Sequence, residues 1–118
     1  MRLVNRRQNL NLASDVRVAR SFWARTKGLL GETGLPDGHA LWIDCGLVGC
    51  NSIHTFFMRF AIDAVFVDRS LTVTKIYREL PPWRLTLPAT NAHSVFELKA
   101  GALAQGAVEI GDQLHVGD

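Results

Sequence analysis

Short extended segments, most of them closed by a turn signal, recur along this chain and constrain its fold more than any other feature. Such runs combine β-branched and aromatic residues, several of them with alternating apolar and polar positions, as in half-buried strands. The runs lie at residues 15–20, 40–44, 54–59, 63–67, 71–78, 83–87, 94–98 and 112–116. A polar turn joins residues 63–67 to 71–78 and predicts a β-hairpin.

Only one segment predicts a good helix. Ser21 is a suitable N-terminal cap, apolar side chains follow at helical spacing to Leu30, and Gly31 ends the pattern. Seven or eight short strands with one helix indicate a mainly-β domain of the β-rich α+β class. We expect a compact antiparallel sandwich or barrel-like domain with one N-terminal helix packed on it. A Rossmann fold is disfavoured because helices between the strands are missing.

Length and hydropathy predict a single domain over residues 13–118, because 118 residues suffice for one hydrophobic core. Residues 1–12 are basic and predict a flexible lead-in. No apolar run is long enough for a membrane span or a signal peptide, so we expect a cytoplasmic protein with no membrane partner. A net charge of +2 identifies no partner.

Four motifs, in order, resemble those of the domain of unknown function 192 (DUF192) family. They are residues 25–30, 54–63, 96–101 and 111–112, and the similarity extends over about residues 13–116. The resemblance implies a small, mainly-β protein of bacterial or archaeal type, with no assigned reaction and no known cofactor. The motif residues to which it assigns a structural role are Arg25, Gly28, Met58, Gly101, Gly111 and Asp112.

The richest candidate site lies in the segment from His54 to Asp63, which places His, Arg and Asp among bulky apolar residues. Burial of an unpaired polar group costs several kcal/mol, so each needs a partner or an open surface. If two strands pair across the bend after Arg59, His54 and Asp63 meet. A carboxylate would then orient the imidazole as a general base or ligand. A purely structural His–Asp hydrogen bond is the favoured alternative.

The leading functional hypothesis is binding of a small polar ligand, such as a carbohydrate, in a groove around this segment. The residues expected to line the groove are His54, Thr55, Arg59, Asp63 and Glu97. For Glu97, an ion pair with Arg25 or Arg59 is the stronger alternative. Trp83, beside two prolines, is either a core residue or an exposed stacking surface for a sugar or a peptide.

Two other functions remain as alternatives. One is a hydrolytic enzyme in which His54 is the base and Asp63 orients it. The other is a module that contacts protein or nucleic acid through its basic N-terminus. Nucleic acid is disfavoured because no aromatic platform accompanies those charges. The sequence does not indicate the oligomeric state.

A metal site is the weakest of the candidate sites. Cys45, Cys50 and His54 are three possible zinc ligands, but a structural zinc site needs four and usually closer cysteine pairs. We therefore expect no metal and no cofactor.

Overall fold

Two β-sheets account for the regular structure of the described residues. The computed structural model describes residues 1–19, 34–44, 52–56, 58–88, 91–104 and 106–117. The strands in these residues are β1 (Arg2–Asn5), β2 (Leu10–Ala13), β3 (Asp15–Ala19), β4 (His39–Asp44), β5 (Ile62–Val67), β6 (Val73–Leu80), β7 (Ser94–Lys99) and β8 (Leu114–Gly117).

The smaller sheet has the strand order β2-β1-β8 and the larger has the order β3-β4-β7-β5-β6. Strands β5 and β6 pair antiparallel, which confirms the predicted hairpin. The strand pairs are antiparallel, as expected, except that β3 and β4 pair in parallel, with Asp15 opposite His39. Alternation along a strand shows which side chains share a face but not the direction of the neighbouring strand.

The predicted fold class needs two further corrections. The described residues contain strands and no helix, so the β-rich part of the prediction stands, whereas a packed N-terminal helix is not supported by the described residues. The segment predicted to be helical, residues 21–30, lies outside the described residues. The predicted flexible lead-in, residues 1–12, instead contains β1 and most of β2, and Leu3 within it is completely buried.

Residues 54–59 and 83–87 also differ from the prediction. Within the described residues neither segment belongs to a sheet, and a single antiparallel bridge between His54 and Leu85 joins them. Their aromatic and β-branched content resembles that of strands, but Pro81 and Pro82 immediately precede the second segment and Pro88 immediately follows it. Proline lacks the N–H group that a continuous strand ladder requires.

The five-stranded sheet is buried on both faces. Its inner face, which includes Val65 and Phe96, shares a core with Leu3 and Leu114 of the smaller sheet. Its outer face, which includes Phe66, packs against residues from the segment before β5, such as Ile53 and Met58. The described residues include no helix long and apolar enough to cross a membrane.

Candidate functional site

Asp63 lies in β5, on the inner face, and is completely buried. Its Oδ1 atom accepts a hydrogen bond from the Glu79 backbone N–H at 2.7 Å. Its Oδ2 atom accepts from the N–H groups of Gly101 at 3.1 Å and Leu103 at 2.7 Å. Three backbone donors stabilise a buried carboxylate and leave it little capacity for other partners.

These bonds hold two irregular pieces of backbone against β5. The pairing of β5 with β6 shifts register between Ile62 and Ala64, and Glu79 in this irregularity has a φ of 53°. Gly101 follows β7 with a φ of 94°, a conformation that glycine adopts easily. The Asp63 carboxylate therefore joins a β-bulge and a turn to the sheet, which is a structural role.

His54 lies elsewhere, on the surface. Its side chain is exposed, its Nδ1 atom accepts a hydrogen bond from the Phe56 N–H at 3.3 Å, and its ring stacks on the Phe56 ring at 5.3 Å. No hydrogen bond or ion pair joins His54 to Asp63 among the described residues. The expected His–Asp pair is therefore not formed, because the carboxylate bonds to backbone amides instead.

Thr55 is completely buried, so its side chain is not accessible to a ligand. Its hydroxyl donates to the Pro81 carbonyl at 2.7 Å and accepts from the Arg84 N–H at 2.9 Å. Its own N–H donates to the Arg84 carbonyl at 2.8 Å, and its carbonyl accepts from the Trp83 N–H at 2.9 Å. Thr55 thus fastens residues 81–84 to the segment that contains His54.

Trp83 is presented to solvent by this arrangement. Its φ of 65° is rare for a bulky residue, and 55% of its side chain is exposed. The Phe56 ring, itself 36% exposed, lies between His54 and Trp83, with 6.2 Å separating the Phe56 and Trp83 ring centres. We call His54, Phe56 and Trp83 the ring row.

Glu97 lies in β7 and belongs to the outer face, between Leu41 of β4 and Ala64 of β5. It is only 3% exposed, and burial raises the pKa of its carboxyl to about 7. Burial is the cause of this shift. Arg59 is exposed, and Arg25 lies outside the described residues.

The five residues predicted to line one groove therefore occupy different environments. Asp63 and Glu97 are on opposite faces of one sheet, Thr55 is buried, and His54 and Arg59 are exposed. Glu97 pairs directly with Leu41 of β4 and with Ala64 of β5, so no groove separates β7 from these two strands at this position.

A third buried carboxyl group, that of Asp112, was only partly anticipated. Asp112 accepts hydrogen bonds from Asn5 Nδ2 at 2.8 Å, Arg7 Nε at 2.7 Å and the Glu109 N–H at 2.8 Å. The hydrogen bond from Arg7 is the main reason that the pKa of Asp112 is lowered. Sequence reasoning assigned Asp112 a structural role but placed Asn5 and Arg7 in a flexible segment.

The other motif residues have structural environments where they are described. Met58 is buried in the outer-face core, and Gly111 precedes Asp112 with a φ of 94°. Gly28, Cys45 and Cys50 lie outside the described residues. Among the residues that are described, no three His, Cys, Asp or Glu side chains are grouped so that they could hold a metal ion.

One open cavity of about 570 Å³ lies beside Leu35, Phe60 and Lys99. Among the described residues of its lining, Lys99 alone is charged, and the Lys99 Nζ atom pairs with Asp37 Oδ1 at 3.0 Å. A small-molecule site normally combines apolar walls with several convergent polar groups. This cavity is therefore a weaker candidate than the ring row.

Comparison with known proteins settles the family. The family model for DUF192, described as "Uncharacterized ACR", matches residues 3–116. The chain belongs to the DUF192 family. The match confirms the resemblance seen in the sequence motifs, and it includes β1 and most of the N-terminal segment.

This DUF192 chain is similar in sequence to UPF0127 proteins and similar in fold to two solved structures. A UPF0127 protein of Pyrococcus horikoshii is 33% identical over 95% of this chain and 96% of its own length. A protein of unknown function from Novosphingobium aromaticivorans has a TM-score of 0.75 at 23% identity, covering 86% of this chain and 74% of its own. A "putative transcription regulator" from Sinorhizobium meliloti has a TM-score of 0.78 at 20% identity, covering 97% and 89%. For the two solved structures, identities of 23% and 20% show a common fold alone.

Proposed function

We propose that this DUF192 chain binds a small polar ligand of the saccharide class on the ring row. The observation that carries the proposal is the exposed indole of Trp83, held in a left-handed backbone conformation. Such a conformation costs about 1–3 kcal/mol for a bulky residue and is concentrated at functional sites. Burial of an indole would remove apolar surface from water, whereas this backbone keeps it exposed.

The chemistry of the surface fits a sugar ring. A pyranose has an apolar face of C–H groups that packs on an aromatic ring, and its hydroxyls need polar partners at the edge. The His54 ring and the exposed Arg84, which follows Trp83 directly, supply polar groups beside the Trp83 indole. The hydrogen bonds of Thr55 fix the segment in advance, so little conformational entropy is lost on binding.

Hydrolysis by a His54–Asp63 pair has no support in this geometry, because the two side chains have separate partners. The basic N-terminus also fits less well as a docking arm, because Leu3 is buried in β1 and Arg7 bonds to Asp112. Binding on the ring row therefore explains the exposed aromatic groups better than either alternative.

The test is a titration of the protein with glucose, galactose, N-acetylglucosamine and glucuronate oligomers, followed by calorimetry. We expect at least one saccharide to bind, and Trp83→Ala to weaken its binding about tenfold or more, because the stacking surface is lost. Ile110→Ala is the matched control, since Ile110 is another exposed apolar residue, at 65%. Equal affinities of the two variants, or no binding by the wild type to any of these sugars, would contradict the proposal.

A further inference from the structure

Residues 84–87 form an extended segment with one paired and one open edge. On the edge that faces residues 53–55, the Arg84 carbonyl accepts a hydrogen bond from the Thr55 N–H, and the Thr86 N–H donates to the Ile53 carbonyl. Successive residues of an extended segment direct their backbone groups to opposite edges. The N–H and C=O groups of Leu85 and Leu87 therefore point to the other edge, where none of the described residues bonds to them.

The side chains on this segment make the edge unusual. Leu85 is 65% exposed and Leu87 is 78% exposed, and both exceed the exposure of Trp83. Proteins commonly protect open strand edges with charged residues or prolines, because an open edge pairs readily with another chain. Here Pro82 and Pro88 flank the segment, so protection is at its ends and the centre presents two leucines.

Charge indicates what kind of chain pairs with this edge. Residues 52–60 and 81–88 contain Arg59 and Arg84 and no Asp or Glu. A second copy would bring its own Arg59 and Arg84, and no acidic residue from these two ranges, to the same interface, so the two positively charged surfaces would repel each other. An extended peptide with acidic residues beside alternating apolar ones complements the edge in both charge and hydropathy.

We propose that the Leu85–Leu87 edge is a docking site for an extended, acidic and apolar peptide segment of a partner protein, which adds to it as a β-strand. Backbone hydrogen bonds to Leu85 and Leu87 supply the pairing, and the exposed leucines contact alternate apolar side chains. This interaction uses the backbone edge, whereas the proposed saccharide site uses the ring faces, so the two proposals stand or fall separately.

The experiment selects a displayed library of random eight-residue peptides against the wild-type protein, and the strongest binder is synthesised. We expect enriched peptides to alternate apolar residues and to contain Asp or Glu. Binding should protect the Leu85 and Leu87 amides from hydrogen exchange. Trp83→Ala, which weakens saccharide binding under the first proposal, should bind the peptide within about threefold of the wild type.

Leu87→Pro and Leu87→Ala form the decisive pair of variants. Leu87→Pro removes an outward N–H and leaves the bond from the Thr86 N–H to Ile53 in place, whereas Leu87→Ala keeps the N–H and removes the apolar contact. We expect Leu87→Pro to weaken binding about tenfold more than Leu87→Ala, as loss of a backbone hydrogen bond implies.

Four results would overturn the proposal. They are equal effects of the two Leu87 variants, a library that enriches basic peptides or none, unprotected Leu85 and Leu87 amides in the wild-type complex, and wild-type dimerisation abolished by Leu87→Pro. The last would show that a second copy occupies the edge. If Leu87→Pro does not fold, the exchange measurement on the wild-type complex decides alone.

Discussion

Asp63 and Glu97 are both buried carboxyl groups on neighbouring strands of one sheet, yet their environments differ. Asp63, on the inner face, accepts three backbone hydrogen bonds. Glu97, on the outer face, lies between Leu41 and Ala64, and burial raises the pKa of its carboxyl to about 7. Burial alone therefore does not identify a functional acid, because its partners decide whether the charge is stabilised.

Removal of the Asp63 carboxylate should have the largest effect. Asp63→Ala leaves three backbone N–H groups without their acceptor, and each unsatisfied buried donor costs about 1–3 kcal/mol. We expect the free energy of unfolding to fall by about 4 kcal/mol, measured by urea denaturation. Asp37→Ala, at an exposed acid, is the control and should change stability by less than about 0.5 kcal/mol. A loss below about 1 kcal/mol for Asp63→Ala would refute the structural role.

Glu97→Gln should show an effect that depends on pH. Between its ordinary value of 4.5 and its folded pKa of about 7, Glu97 keeps its proton in the folded protein and loses it in the unfolded chain. The wild type therefore loses stability as pH rises through this window, by on the order of 3 kcal/mol relative to Glu97→Gln. Urea denaturation at intervals from pH 4 to 8 measures the difference. A difference that is constant with pH would show that Glu97 has a partner.

Asp112 should show the opposite sign. Its pKa is lowered, so its stabilisation is present above its ordinary value of 3.8 and is lost as pH falls through the lowered value. At neutral pH, Asp112→Ala should cost about 2 kcal/mol, because the Asn5 and Glu109 donors lose their acceptor. The gap between wild type and variant should narrow below pH 4 in thermal melts, and a gap that widens there would contradict this sign.

His54→Ala should have the smallest effect on stability, within about 0.5 kcal/mol, because the ring is exposed and does not contact Asp63. Thermal unfolding of this variant beside Asp63→Ala directly contrasts the two members of the predicted pair. A loss of several kcal/mol of stability in His54→Ala as well as in Asp63→Ala would contradict this prediction and would indicate that the two side chains interact.

Periodicity and turn chemistry predicted much of the β-structure. The hairpin of β5 and β6, and the strands at residues 15–19, 40–44 and 94–98, follow from alternation and from polar turns. The parallel pairing of β3 and β4 did not follow, because strand direction depends on how the chain returns between them. Strands β1 and β2 were missed because Arg2, Arg6 and Arg7 made residues 1–12 resemble a basic flexible segment, although Leu3 and Leu12 are buried.

The candidate site was less predictable for a physical reason. His54 and Asp63 look like partners in sequence, but the donors that Asp63 uses are backbone groups of Glu79, Gly101 and Leu103. Every residue carries such a donor, so sequence cannot show which ones turn toward a carboxylate. Exposure of Trp83 was weighed only as an alternative, since tryptophan is usually buried and its left-handed backbone leaves no sequence signal.

The most direct test of the account maps saccharide binding on the backbone of the wild-type protein by ¹⁵N–¹H nuclear magnetic resonance. The account predicts shifts at the amides of Phe56 and Arg84 and at the Trp83 indole N–H, with Gly101 and Leu103 unchanged. The reverse pattern, with shifts at Gly101 and Leu103 and none at the ring row, would show that Asp63 is the binding centre and would contradict the account.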